Sequence, residues 1–304
     1  MLKRLYIYFK EMFPIIPRLM LGYIVSMEIY FIVLLNQGRL DFSLGISELI
    51  SGFTVFSFLC WLRIADDFKD YETDKRLFPS RALPSGRVKK SDLKTVLMIL
   101  IPITLLLNFV YMPNFIFCVI LYTYGSLMAV WFFQKHKIQP SLPLALVTHN
   151  PVQIFINLYI LSFVIIKYNL KIFTIQNLMA VFTLYFPALI WEVSRKIRAP
   201  KDETEYVTYS KLFGYKKATD FVFIVTWADI FTNFILVWNL SKIGVILLLI
   251  NVLWMSKKFI EFKENPERFK IVEKVEKYTY IQETLMILII IFYLFSKRQG
   301  FLLI

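Results

Sequence analysis

The sequence predicts an all-α integral membrane protein of nine transmembrane helices, and three observations carry that expectation. The 304 residues are 58% hydrophobic and 17% aromatic, and the mean hydropathy of +0.59 lies outside the range of soluble domains. The apolar residues fall into nine runs, each of roughly the 20 residues a helix needs to cross a bilayer. Basic residues alternate in abundance between successive connections. With the N-terminus inside, 28 Lys and Arg fall on the inner side and 6 on the outer, with Arg18 left within a span. That bias follows the positive-inside rule and makes the N-terminus and both large charged loops cytoplasmic, with the C-terminus outside. Residues 1–304 read as one polytopic domain, in a bacterial-type plasma membrane.

The elements follow in order. The start, MLKRLYIYFKEMFPIIPR, is too basic and too interrupted by Pro14 and Pro17 for a cleavable signal, and reads as an amphipathic cytosolic lead-in. The first span covers about 15–35 and carries Arg18 and Glu28, which are costly in lipid and expected to face the bundle interior or an interface. The second covers about 44–65. After a charged segment come spans at about 93–109 and 113–133, separated by the Pro113-Asn114 turn signal. The fifth, about 142–166, contains His149, Asn150 and Pro151, and is followed by spans at about 172–194, 218–238, 241–256 and 279–296. Lys257 to Lys277 reads as a basic loop facing lipid headgroups. Cys60 and Cys118 fall in apolar segments and read as small core residues, not disulfide or zinc ligands.

The segment Arg63–Lys90 is the most informative. On a helix, Asp67, Asp70 and Asp74 are spaced three and four apart and share one face, with Asp66 at its edge. Three carboxylates on one face repel, and hard oxygen ligands of this kind suit divalent cations such as Mg2+. The other reading of these acids is a solvated helix tip paired with Lys69, Lys75 and Arg76. A second charged loop, Glu192–Gly214, lies four crossings later on the same face. It mixes Glu192, Asp202, Glu203 and Glu205 with Arg195, Lys196, Arg198 and Lys201. Two such carboxylate clusters can bind a magnesium-bridged diphosphate whose remaining oxygens meet Lys and Arg. An allylic leaving group would generate a cation that aromatic rings stabilise.

At this point the residues resemble a family. Asp66-Asp67-x-x-Asp70-x-x-x-Asp74, followed by Pro79-Ser80-Arg81-Ala82-Leu83-Pro84-Ser85-Gly86-Arg87, is similar to the NDxxDxxxD and PxRPLPSGR signature of the UbiA superfamily of intramembrane prenyltransferases. The resemblance implies nine helices around a central cavity that opens to lipid, and a magnesium-dependent transfer of an isoprenyl group. The donor is an isoprenyl diphosphate, the acceptor lipophilic or aromatic and quinone-precursor-like, and the product includes pyrophosphate. It implies metal ligation by Asp66, Asp67, Asp70 and Asp74, and by Glu192, Asp202 and Glu203. Diphosphate contacts fall to Arg63, Lys75, Arg81, Lys135, Arg195, Lys196 and Arg198. The sequence departs from the pattern at Asp66 (usually Asn), Ala82 (usually Pro), Glu192 (usually Asp), Ala199 (an expected Asp) and Trp131 (where Tyr-x-x-x-Lys is usual), and it lacks a glycine before Thr208.

His149 and Asn150 at membrane depth are candidates to bind or deprotonate the acceptor, or else bond carbonyls freed by Pro151. Asp220 and Asp229 are placed toward the cavity. Nucleic acid is excluded as a partner, because lipid headgroups account for the net charge of +13, and no obligate protein partner is inferred. A terpene cyclase of the same superfamily and a non-catalytic membrane transporter remain the other readings.

Overall fold

The computed structural model describes residues 1–299, all of it helix and connection, with no strand among the described residues. Helix α1 spans Leu2–Glu11, α2 Ile15–Asn36, α3 Ile46–Lys69, α4 Tyr71–Leu77, α5 Lys90–Tyr111 and α6 Phe115–Ala129. Then come α7 (Lys135–Ile138), α8 (Leu142–His149), α9 (Val152–Tyr168), α10 (Ile175–Phe182) and α11 (Tyr185–Ser194). The last four are α12 (Tyr209–Phe213), α13 (Tyr215–Val237), α14 (Lys242–Glu264) and α15 (Ile271–Gln299). Among the described residues, eight segments are long and apolar enough to cross a membrane, taking α8 with α9 and α10 with α11 as single spans.

The expected fourth span is shorter than its apolar run. Helix α6 has 15 residues, about 22 Å at the helical rise and less than the hydrocarbon thickness. The chain leaves it through Trp131, Phe132 and Phe133, at φ of 55°, 49° and 58°. Three consecutive L-residues in the left-handed region cannot extend a right-handed helix. The eighth span is longer than expected. Lys257–Glu264 continues α14 and Ile271–Lys277 begins α15, so the basic run is mostly helix with a loop of only 265–270. Interleaved Phe259, Phe262, Ile271 and Val275 are fully buried and hold those turns against the interior.

The helices form two compact units, with the division falling inside α2 and α9. The first holds residues 1–29, 42–136 and 158–169. In it α3 packs along α5, and both touch α6. Its apolar interior is crossed by hydrogen bonds: Ser57 Oγ lies 2.7 Å from Thr104 Oγ1 and 2.9 Å from the Tyr122 hydroxyl, while Asn108 Nδ2 donates to Thr54 at 2.8 Å and Tyr159 to Asn108 at 2.7 Å. Such bonds contribute about 0.6 kcal/mol each between membrane helices. Glu28 is buried, as expected of an interior position, and Arg18 is exposed, over the Phe13 ring at 5.9 Å. The second unit holds 30–41, 137–157 and, of the described residues, 170–299. There α13 is central, packed by α10, α11 and α14, and α14 packs on α15.

Small residues let backbones approach. A Cβ on Gly22 would lie 2.8 Å from the Gly52 carbonyl oxygen and 2.8 Å from the Phe56 amide nitrogen. Since neither is a flexible side-chain end, Gly22→Ala is expected to push α2 from α3 and destabilise by about 1–3 kcal/mol. Thermal unfolding in lipid nanodiscs checks this; an unchanged midpoint would contradict the close approach.

Candidate functional site

The acidic segment begins where α3 outruns its apolar run. The helix kinks at Asp70 (φ −98°, ψ 9°). Its ladder is kept by Asp70 N–H to Asp66 O and Asp74 N–H to Asp70 O, both 2.8 Å, and α4 then ends at Phe78, ahead of Pro79. Asp67 and Asp74 are buried, at 5% and 7% exposure. Asp67 accepts from the Tyr8 hydroxyl at 2.6 Å and pairs with Arg63 one turn earlier. Asp74 receives Arg81 Nη1 on both oxygens at 2.8 Å, and the Arg81 guanidinium stacks on Phe78 at 4.1 Å. Asp66 pairs with Lys69 at 2.8 Å, and Lys69 lies 4.7 Å over the Trp131 ring.

Asp70 is the exception. It is half-buried and has no side-chain hydrogen bond or ion pair among the described residues. Burial, offset by Lys69 and reinforced by repulsion from Asp66, Asp74 and Asp67, holds its pKa above the usual carboxylate range. Ionised, it is a carboxylate in want of a cation.

The stretch Pro79–Arg87 folds into a tight loop. Ala82 and Leu83 are buried in a cluster with Tyr8, Phe13, Cys60 and Ile64. Gly86 turns the chain at φ 78°, a conformation L side chains resist, and Val88 N–H closes on Ala82 O at 3.1 Å. Arg87 is drawn to Glu11 at 2.5 and 2.8 Å and to Ser80 O at 2.7 Å. Lys75 and Lys135 are exposed, with no ion pair among the described residues. Of the cations expected to neutralise the helix tip, Lys69 does so while Lys75 and Arg76 do not; Arg63 and Arg81 take their place.

In the second unit, Glu192 on α11 is clamped by Arg195 at 2.6 Å and Lys196 at 2.9 Å. The Glu203 carboxylate accepts from Thr208 at 2.7 Å and Ser210 at 2.5 Å, and Ser210 Oγ accepts the Arg198 amide at 2.9 Å. These bonds staple the loop into shape. Asp202 is exposed; its carbonyl lies 3.5 Å from Arg198 Nη1. His149 and Asn150 sit at the break between α8 and α9, with His149 Nδ1 2.9 Å from Thr148 Oγ1. Asp220 forms an ion pair with Lys263 at 2.5 Å, whereas Asp229 is fully buried, accepting from Asn233 and Tyr278 at 3.2 Å.

Among the described residues, no three His, Cys, Asp or Glu side chains close into a ready-made metal site. The donor type is nonetheless the one hard divalent cations take. Asp67, Asp70 and Asp74 offer only carboxylate oxygens, and arginines rather than apolar groups hold two of them. The lead-in helix supplies what sequence reasoning missed: Arg4 binds Asp92 at 2.6 and 2.8 Å, Tyr8 binds Asp67, and Glu11 binds Arg87. Their four-and-three spacing on α1 was the available signal.

No protein-family model matches the chain, and no curated protein does. Among solved structures, one of digeranylgeranylglyceryl phosphate synthase in membranes is similar at 16% identity with a TM-score of 0.64, over 96% of this chain and 99% of that one. The chain therefore shares the all-helical fold of that synthase.

Proposed function

We propose that this chain, built on an intramembrane prenyltransferase fold, transfers an isoprenyl group from an isoprenyl diphosphate to a lipophilic acceptor in the bilayer and releases pyrophosphate. The observation that carries the reading is the half-buried Asp70 carboxylate, which makes no side-chain hydrogen bond or ion pair among the described residues, set among Asp66, Asp67 and Asp74 at the end of a membrane-spanning helix. A purely structural tip would pair it. A bound Mg2+ would supply positive charge at the diphosphate oxygens; Asp67, Asp70 and Asp74, with Asp66 beside them, would hold one ion, and Glu192, Asp202 and Glu203 are the candidates for a second.

The chain's own groups account for the rest. Arg63 and Arg81 neutralise Asp67 and Asp74; were a cation held by those carboxylates, the two guanidinium groups would be available to phosphate oxygens, where bidentate geometry suits them. Lys75, Lys135, Arg195, Lys196 and Arg198 are further candidates. The allylic C–O bond breaks and its electron pair leaves with pyrophosphate. A nucleophilic carbon or hydroxyl oxygen of the acceptor forms the new bond to the allylic carbon, and the acceptor loses the proton from that atom, for which His149 is the candidate base. An aromatic, quinone-precursor-like compound is one acceptor class; the structural neighbour's name adds glyceryl phosphates to those worth assaying.

The test is pyrophosphate release by purified protein in lipid, across isoprenyl diphosphate lengths and both acceptor classes. Release is expected to require Mg2+ and an acceptor, and to fall about 10³-fold on chelation, the equivalent of roughly 4 kcal/mol of charge stabilisation. Hydrocarbon formed without acceptor would indicate a cyclase. No release under any combination, with Asp67→Asn silent in vivo, would leave a non-catalytic protein.

A further inference from the structure

We infer that α1 is a positioning element for the acidic segment, acting through the Tyr8 hydroxyl on Asp67; this rests on the reading of Asp67 as a cation ligand. Arg4, Tyr8 and Glu11 lie on one face of a ten-residue helix and reach three separated points of one segment. Arg4 grips Asp92 at the start of α5 with two bonds, Glu11 grips Arg87 with two, and between them Tyr8 meets Asp67 at 2.6 Å. Tyr8 is 0% exposed, within a cluster that includes Ile64, Leu83, Val88 and Leu93. Its ring cannot swing away, and the flanking ion pairs keep the helix from sliding.

The chemistry of the contact matters. Asp67 has two held oxygens, one taken by the Arg63 guanidinium and the other by the neutral phenol. The guanidinium brings an opposite charge to the carboxylate, whereas the neutral phenol brings only a fixed hydrogen bond that orients it. The buried hydroxyl donates its proton to Asp67, so the contact is a directional hydrogen bond. Hydrogen bonds that orient a ligating carboxylate are typically worth 10- to 100-fold in metal affinity. A helix read from sequence as a lead-in thus sets the geometry of a carboxylate 59 positions away.

The test reads cation binding rather than turnover: Mn2+ titrated into full-length protein in nanodiscs, followed by electron paramagnetic resonance. Tyr8→Phe keeps the ring and removes only the hydroxyl. It is expected to raise the half-saturating Mn2+ concentration about 10-fold in protein that is still folded in chelator, with an unfolding midpoint lowered only by the one lost hydrogen bond. Arg4→Ala, which loosens α1 without touching Asp67, shifts binding the same way by a smaller factor, and decides the matter if Tyr8→Phe does not fold. Wild-type affinity in the folded variant, when Asp67→Asn has lost binding, overturns the inference alone. Equal binding by wild type and Asp67→Asn removes the cation reading beneath it.

Discussion

Asp70→Asn is expected to lower pyrophosphate release by about 10³-fold or more while leaving membrane insertion intact and thermal stability at or above wild type. The two halves of that outcome come from the same cause. In the protein alone, Asp70 is half-buried beside three other carboxylates and gains no hydrogen bond or ion pair among the described residues, so ionising it works against folding. An amide of the same shape removes the repulsion. With a cation and diphosphate bound, the same carboxylate contributes charge where several kcal/mol are needed, and each 1.36 kcal/mol is tenfold in rate. A residue whose replacement stabilises the fold and abolishes turnover is held for function. Release rates and unfolding midpoints on one nanodisc preparation check both halves; full activity in Asp70→Asn would refute the ligand assignment.

Lys167→Ala is expected to cost about 3 kcal/mol of stability with little effect on the chemistry of any protein that remains folded. Glu48 in the first turn of α3 is 3% exposed and pairs with Lys167 near the end of α9, which also donates to the Ser43 carbonyl at 3.1 Å. Truncating the lysine strands a buried carboxylate, which typically costs 3–5 kcal/mol. Here the Gly45 amide, donating to Glu48 at 2.9 Å, keeps the loss near the lower end. Glu48→Gln combined with Lys167→Met removes both charges and is expected to recover most of the loss. Equilibrium unfolding of the two single variants and the double variant measures the coupling; a loss below about 1 kcal/mol for Lys167→Ala would show the pair to be solvated.

The spans and the acidic segment were legible because their signals are local. Runs of Leu, Ile and Phe of membrane length fold into helices wherever they occur, since lipid leaves backbone groups no other partner. The spacing of Asp67, Asp70 and Asp74 and the Pro79–Arg87 run needed no distant residue to be read. Boundaries were less legible where packing overrode composition. The charged ends of α14 and α15 stay helical because Phe259, Phe262, Ile271 and Val275 are buried between the lysines, and α6 stops at Ala129 where the backbone turns left-handed despite an apolar run.

By itself, then, the sequence determined the class of fold and which carboxylates gather on one stretch of chain. Only the tertiary structure decided what each carboxylate bonds: Arg63 and Tyr8 at Asp67, Arg81 at Asp74, hydroxyls at Glu203, and no side-chain hydrogen bond or ion pair at Asp70 among the described residues. Helix periodicity is a property of neighbours three and four apart. The partner of a buried charge is chosen by burial and by long-range contact, such as the 88 positions from Arg4 to Asp92, which no local pattern records.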